Sequence, residues 1–168
     1  RRVIDLACGC GADAVALARA GIPVTGVELD PTTAVLAAAN LARVSADSDV
    51  QVGDAQEVAA RLLAPGAPVF CDPARRSAKG RSWRVEDLSP GWGFVTELLN
   101  GSRQACVKLG PGLPTALIPD AVEAEWVSDA GTVVEAALWA GTGTHPGRRR
   151  AVVGAHELHR DDPVPLPA

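Results

Sequence analysis

The sequence predicts an α/β fold: a mostly parallel, doubly wound sheet with an antiparallel end. Three observations carry this reading. Short apolar runs, VIDL, VTGV, VQV, VFC and ACVKL, recur through the first two thirds of the chain. Stretches of helical character separate them, and the first two are rich in Ala, Leu and Val. After Gly112 the helices stop, and strand-like runs follow one another through turns. Alternation of strand and helix favours a parallel sheet with helices on both faces. At 168 residues the chain is long enough to bury one core.

The elements follow in order. Residues 3–6 read as a short buried strand, and 12–20 as a helix closed by Gly21. Residues 24–27 form the second strand. Asp30-Pro31 opens the next helix, with Asp as N-cap and Pro at the first helical position, and it runs to about residue 43. Residues 50–52 are the third strand. Asp54 and Glu57 have capping-box spacing and start a helix reaching residue 63. Residues 69–71 are the fourth strand, and a long basic loop spans 72 to about 90. A helix over 92–99 leads to the fifth strand, 105–109. Residues 125–128, 132–139 and 149–155 are the late strands. Residues 1–160 thus read as one domain, and the Pro-rich 161–168 as a tail or linker. The chain opens Arg1-Arg2-Val3 directly on a strand and contains no Met, so it is expected to be a piece of a longer protein with flanking domains.

Bulk properties exclude some classes. The net charge of −4 gives no overall basic field for nucleic acid, so such a surface has to be local. The sequence shows no signal-peptide pattern, so none is expected, and no apolar run is long enough to span a membrane. Cys8, Cys10, Cys71 and Cys106 lack the spacing of a disulfide framework or a zinc site. Small buried thiols in a reducing cytoplasm are the expectation. His145, His156 and His159 read as surface residues, and Trp126 and Trp139 as core.

Ligands of such sheets bind beyond the carboxyl ends of the strands. That singles out residues 5–13, 28–30, 53–54 and 72–76. Gly9 and Gly11 allow close backbone approach and a sharp turn into the helix. Glu28, at the end of the second strand, can accept hydrogen bonds from two ribose hydroxyls. The run Gly9-x-Gly11-x-x-Ala14 also fits a dinucleotide fingerprint. Asp5 argues against a pyrophosphate there, because a nearby carboxylate would repel it. A ligand with an ammonium group and no phosphate, such as S-adenosylmethionine, suits the loop better.

These residues carry a resemblance. VIDLACGCG (residues 3–11) resembles the first motif of class I S-adenosylmethionine-dependent methyltransferases. VTGVELD (24–30) resembles their second motif, VQVGD (50–54) their third and FCDPAR (70–75) their fourth. The fold implied is the Rossmann-like class I methyltransferase fold. One departure is Ala7, where that family usually has Gly. The resemblance implies a cofactor site of Asp5, Ala7, Gly9, Gly11, Glu28, Leu29, Asp54 and Ala55. Glu28 would hold the ribose, Leu29 would lie against the adenine and Asp54 would receive its amino group. Asp5 and Gly9 would line the methionine end, and Asp13 either caps its helix or faces the methionine carboxyl region. Asp72 and the Pro73 carbonyl would meet the acceptor beside the transferable methyl group. Ala74 and Arg75 replace the aromatic ending usual in methyltransferases of exocyclic base amines, and Asp-Pro-x-Arg is closer to some RNA methyltransferases.

Arg75, Arg76, Lys79, Arg81 and Arg84 surround Trp83 within ten residues, a local basic patch beside the expected site. Arg and Lys suit phosphates, and Trp83 suits a stacked base. A solvated loop paired with Glu86 or Asp87 is the plainer alternative. Lys108, ending the fifth strand, either enters an acceptor pocket or reaches solvent. The stretches DPARRSAKGR, KLGPG and EWVSDAGTVVEAALWAG are similar to bacterial methyltransferase-like proteins with a C-terminal THUMP-like domain. This similarity implies an RNA substrate, tRNA or rRNA, met by Arg75, Arg76, Lys79, Arg81, Trp83 and Lys108. The rival readings are a fragment of an NAD-binding oxidoreductase, and a nucleoside- or RNA-binding module without catalysis.

Overall fold

A computed structural model describes residues 1–75, 85–100 and 103–159. The first strands and helices form where the apolar periodicity places them. They are β1 (Val3–Leu6), α1 (Ala12–Arg19), β2 (Val24–Glu28), α2 (Pro31–Ala42), β3 (Asp49–Val52), α3 (Ala55–Leu62) and β4 (Val69–Cys71). Capping fixes the helix starts. Asp30 accepts from the Thr33 N–H at 2.7 Å, and Asp54 from the Gln56 N–H at 2.8 Å. Such caps stabilise a helix by about 1 kcal/mol each.

The long loop after β4 is shorter than the sequence suggests. β5 (Ala74–Arg75) pairs antiparallel with β6 (Leu88–Ser89), so both ends of the basic stretch are tied together. Arg76, Lys79, Arg81, Trp83 and Arg84 lie outside the described residues, as does the side chain of Arg75. α4 (Trp92–Asn100) then leads to β7 (Ala105–Leu109). The late strands are β8 (Glu123–Asp129), β9 (Thr132–Ala140), β10 (Arg149–Val153) and β11 (His156–His159).

Nine described strands form one sheet in the order β11-β10-β8-β9-β7-β4-β1-β2-β3. The order reverses between β1 and β4, the crevice where such sheets bind ligands. The far end differs in detail from the expected antiparallel run. β9 is antiparallel to β7 and β8, but β10 pairs parallel with β8. The connection through residues 141–148 carries the chain back to do this. The strand expected over 149–155 stops at Val153, because Gly154, at φ +59°, turns the chain into a hairpin with β11. The expected 161–168 tail lies outside the described residues.

Alternation along the strands sorts the core into two faces. Ile4, Leu6, Cys71, Val107 and Leu138 pack with α3 and α4, whereas Val24 packs with Ala14, Ala18 and Leu41 of α1 and α2. Asp5, Phe70, Cys106 and Trp139 form a lateral row across β1, β4, β7 and β9, on the face opposite α3 and α4. Trp139, in that row, is 36 % exposed, so it is not the core residue its apolar surroundings suggest. Trp126 is partly buried against the core. His145 and His156 are exposed as expected, but His159 is half-buried against the Arg148 guanidinium.

Candidate active site

The site is built where the carboxyl ends of β1, β2, β3, β4 and β7 converge. After β1 the backbone takes three left-handed residues in five: Ala7 at φ +61°, Gly9 at +54° and Gly11 at +81°. Only glycine takes this conformation without cost, so Ala7 is strained by about 1 kcal/mol. The residue that departs from the resembled motif is therefore a strained one. The Cys8 N–H donates to the Val27 carbonyl at 3.0 Å, anchoring the loop on β2. A Cβ at Gly9 would meet nothing within 4 Å, whereas one at Gly11 would lie 3.3 Å from the Ala37 Cβ. Gly9 therefore faces open space, and Gly11 lets α1 pack on α2.

Glu28 ties the site together. Its Oε2 accepts from the Gly9 N–H at 3.0 Å and its Oε1 from the Asp30 N–H at 2.9 Å. The carboxylate thus sets the loop after β1 against the end of β2. The cleft around it has a volume of about 780 Å³. Of the residues expected to bind cofactor, Ala7, Gly9, Glu28, Leu29, Asp54 and Ala55 line it. Asp72, Pro73 and Lys108 join them from the other side of the crevice. Leu29 is 47 % exposed, an apolar surface presented to the cleft. Gly11 does not line it, because its role is the helix contact. Asp5 does not line it either; it lies buried, 1 % exposed, with neither carboxylate oxygen hydrogen-bonded.

The charges around Asp5 form one cluster. The Lys108 ammonium lies 2.7 Å from Asp13 Oδ2 and 3.1 Å from Asp72 Oδ2. It also sits 5.9 Å from the centre of the Phe70 ring. Lys108 therefore turns into the cleft and does not reach solvent alone. Partial burial pulls its pKa down, but the hydrogen bond to Asp13 and the charge of Asp72 outweigh that and hold it charged. Burial pushes the Asp5 carboxyl up from 3.8 to about 8; Asp13 and Asp72 add to the shift, and Lys108 opposes it.

The cysteines divide. Cys71 and Cys106 are buried thiols, and burial pushes both upward. Cys8 and Cys10 are not buried in the core; they line the cleft, and burial with the Asp5 and Glu28 charges pushes Cys8 up to about 12. No group of metal-ligating side chains occurs among the described residues.

Several lining residues carried no clear sequence signal. Asp13 is ambiguous between a helix cap and a ligand group, and nothing in the sequence singles out Thr33 or Gln56. Residues 88–91 reach the cleft because the β5–β6 ladder folds the loop back; the Pro90-Gly91 turn was their one signal. A side compartment of about 160 Å³ shares Asp72, Pro73, Leu88 and Lys108 with the cleft and adds Glu135 of β9. Glu135 reaches it only because β9 inserts beside β7.

Comparison with known proteins fits this geometry. No family model matches the chain. Two uncharacterized S-adenosylmethionine-dependent methyltransferases of Mycobacterium tuberculosis, from strains CDC 1551 and H37Rv, are each 31% identical over 169 residues. The alignment covers 96% of this chain and 45% of theirs, so the chain spans under half the length of the curated relatives it matches. A candidate methyltransferase from Porphyromonas gingivalis W83 superposes with a TM-score of 0.71 at 26% identity, over 98% of this chain and 43% of that one. The fold is that of the S-adenosylmethionine-dependent methyltransferases. An RNA methyltransferase from Salinibacter ruber, solved with S-adenosyl-L-homocysteine, shares this methyltransferase fold at a TM-score of 0.53 and 17% identity, over 86% of this chain and 80% of its own. On the methyltransferase fold, the cleft described above lies at the reversal of strand order between β1 and β4.

Proposed function

We propose that this chain is the cofactor-binding domain of an S-adenosylmethionine-dependent methyltransferase that acts on RNA in the cytoplasm. The observation that carries the first part is the charge of the cleft. Asp13, Glu28, Asp54 and Asp72 line it, and Lys108 is already engaged by two carboxylates. Such a wall repels a pyrophosphate and suits a ligand with ammonium and sulfonium charges. This disfavours an NAD-binding oxidoreductase. The open space at Gly9 and the unpartnered Asp5 oxygens also fit a ligand seated against the loop after β1.

In this reading Glu28 holds the ribose, with its two backbone partners fixing the carboxylate in place. Asp54 holds the adenine amino group while capping α3, and Leu29 and Ala55 supply apolar contact. Ala7 and Gly9 contribute backbone at the methionine end. The bound cofactor supplies an already activated methyl group. The chain's own work is then alignment and exclusion of water. Asp72 and the Pro73 carbonyl accept hydrogen bonds from the acceptor and orient its nucleophilic atom, with Lys108 holding the Asp72 carboxylate.

The RNA part rests on the basic run that follows Asp72-Pro73. Arg75, Arg76, Lys79 and Arg81 would meet phosphates, and Trp83 would stack on a base. A THUMP-like RNA-binding domain belongs, in this reading, to the part of the longer protein this chain does not span. The test is transfer of labelled methyl from S-adenosylmethionine to tRNA and rRNA by the full-length protein. Labelled RNA that disappears with Asp72→Ala supports the reading. Label found only on protein or small molecules contradicts the RNA part, and no label on any acceptor contradicts the activity.

A further inference from the structure

Among the described residues, Asp5 is the buried acid of the site whose two carboxylate oxygens have no hydrogen-bond partner. A buried carboxylate without hydrogen bonds is expensive, and a sequence that keeps one there needs a compensating charge. The neighbours do not supply it. Asp13 on α1 and Asp72 at the end of β4 are negative, and Lys108 at the end of β7 is shared between them. The thiols of Cys8 and Cys71, on the residues after β1 and within β4, are held neutral by burial and by these same acids. With Asp5 protonated, the cluster of Asp5, Asp13, Asp72 and Lys108 carries one net negative charge; with Asp5 ionised it carries two.

We infer that Asp5 is a specificity-determining residue that reads the charge of the ligand above it, giving up its proton when a positively charged methionine end binds and regaining it when that charge is lost. The inference rests on the reading of the cleft as an S-adenosylmethionine site. S-Adenosylmethionine carries one more positive charge than S-adenosylhomocysteine, the sulfonium. The cluster therefore favours the methyl donor, and loss of the sulfonium on transfer weakens the hold on the product. The proton goes from the Asp5 carboxyl to solvent on donor binding and returns on product formation. Asp5 acts through space from beneath the loop, as a positioning charge and not as a group in contact with the reacting atoms.

Linkage makes this measurable, because a ligand that releases a proton binds more tightly as pH rises. Below about pH 7 the ligand's own α-amino group stays protonated and adds no proton exchange. Calorimetry on this chain at pH 6.5, in phosphate and in an imidazole buffer, counts the protons released from the difference in heats. The wild type is expected to release between about half a proton and one proton with S-adenosylmethionine, and clearly fewer with S-adenosylhomocysteine. Its donor affinity is expected to rise by up to about tenfold from about pH 6 to about pH 7, the limit for one proton per pH unit. Asp5→Asn is expected to release none and to narrow the donor-to-product affinity ratio. Donor binding with no proton released by the wild type, or equal release with both ligands, overturns the inference and leaves the cofactor reading standing. Absence of donor binding overturns both. The wild-type comparison of the two ligands decides the matter even where Asp5→Asn fails to fold.

Discussion

Replacing Asp5 by Asn tests the electrostatics of the site without any ligand. In the folded chain the Asp5 carboxyl is raised from 3.8 to about 8 by burial and by the neighbouring acids. A carboxyl raised on folding binds its proton more tightly in the folded state. Between its unfolded and folded values the native chain holds more protons, so this group's contribution to stability falls as pH rises through that window. Each pH unit costs about 1.4 kcal/mol, giving about 4 kcal/mol at pH 7 as an upper limit. Asn keeps the shape and the lack of partners but cannot ionise. The stability of Asp5→Asn relative to wild type is therefore expected to climb with pH from about 4 to about 8 and then level off. Urea denaturation of both proteins from pH 5 to 9, by near-ultraviolet circular dichroism, gives the difference directly, and other titrating groups cancel. A difference that does not change with pH, or that falls, would refute the claim that Asp5 is buried without compensation.

Three further substitutions probe the frame. Ala7→Gly relieves a left-handed alanine, offset in part by the freer unfolded chain, and is expected to raise stability by about 0.5 kcal/mol and the melting temperature with it. Gly11→Ala adds a Cβ at φ +81° that meets the Ala37 Cβ at 3.3 Å; a loss of about 1–3 kcal/mol in denaturant unfolding is expected. Arg150→Met leaves Glu123, which is buried, and Glu125 without the guanidinium that now bridges them to Glu157. Because Glu123 keeps the His145 N–H at 2.9 Å and the Arg148 guanidinium at 3.9 Å, a loss of about 1–2 kcal/mol is expected, together with faster amide hydrogen exchange in β8 and β10.

What could be read from the sequence follows from how local each signal is. Caps and turns act within a few residues, so Asp30, Asp54 and Gly21 placed helix boundaries to within a residue or two. Gly9 and Glu28 were legible as cleft residues because each lies at the carboxyl end of a strand beside the reversal of strand order, where such sheets open a crevice. Gly11 kept its structural importance but changed its role, since its contact is Ala37, a residue 26 positions away on another helix. The Lys108–Asp13 pair spans 95 residues and depends on β7 lying beside β4, which no local pattern encodes. Glu135 was hidden for the same reason, as strand insertion alone brings it to the side compartment. The parallel placement of β10 was missed because apolar alternation reports a strand and not its direction.

The central claim is that the acidic cleft between β1 and β4 takes S-adenosylmethionine. The most direct measurement is calorimetric titration of this chain with S-adenosylmethionine, S-adenosylhomocysteine and NAD in parallel, repeated on Glu28→Ala. The account predicts saturable binding of the first two, silence from NAD, and affinity weakened at least about tenfold in the variant through loss of a charged hydrogen-bonding partner. Binding of NAD alone, or full cofactor affinity in Glu28→Ala, would contradict it.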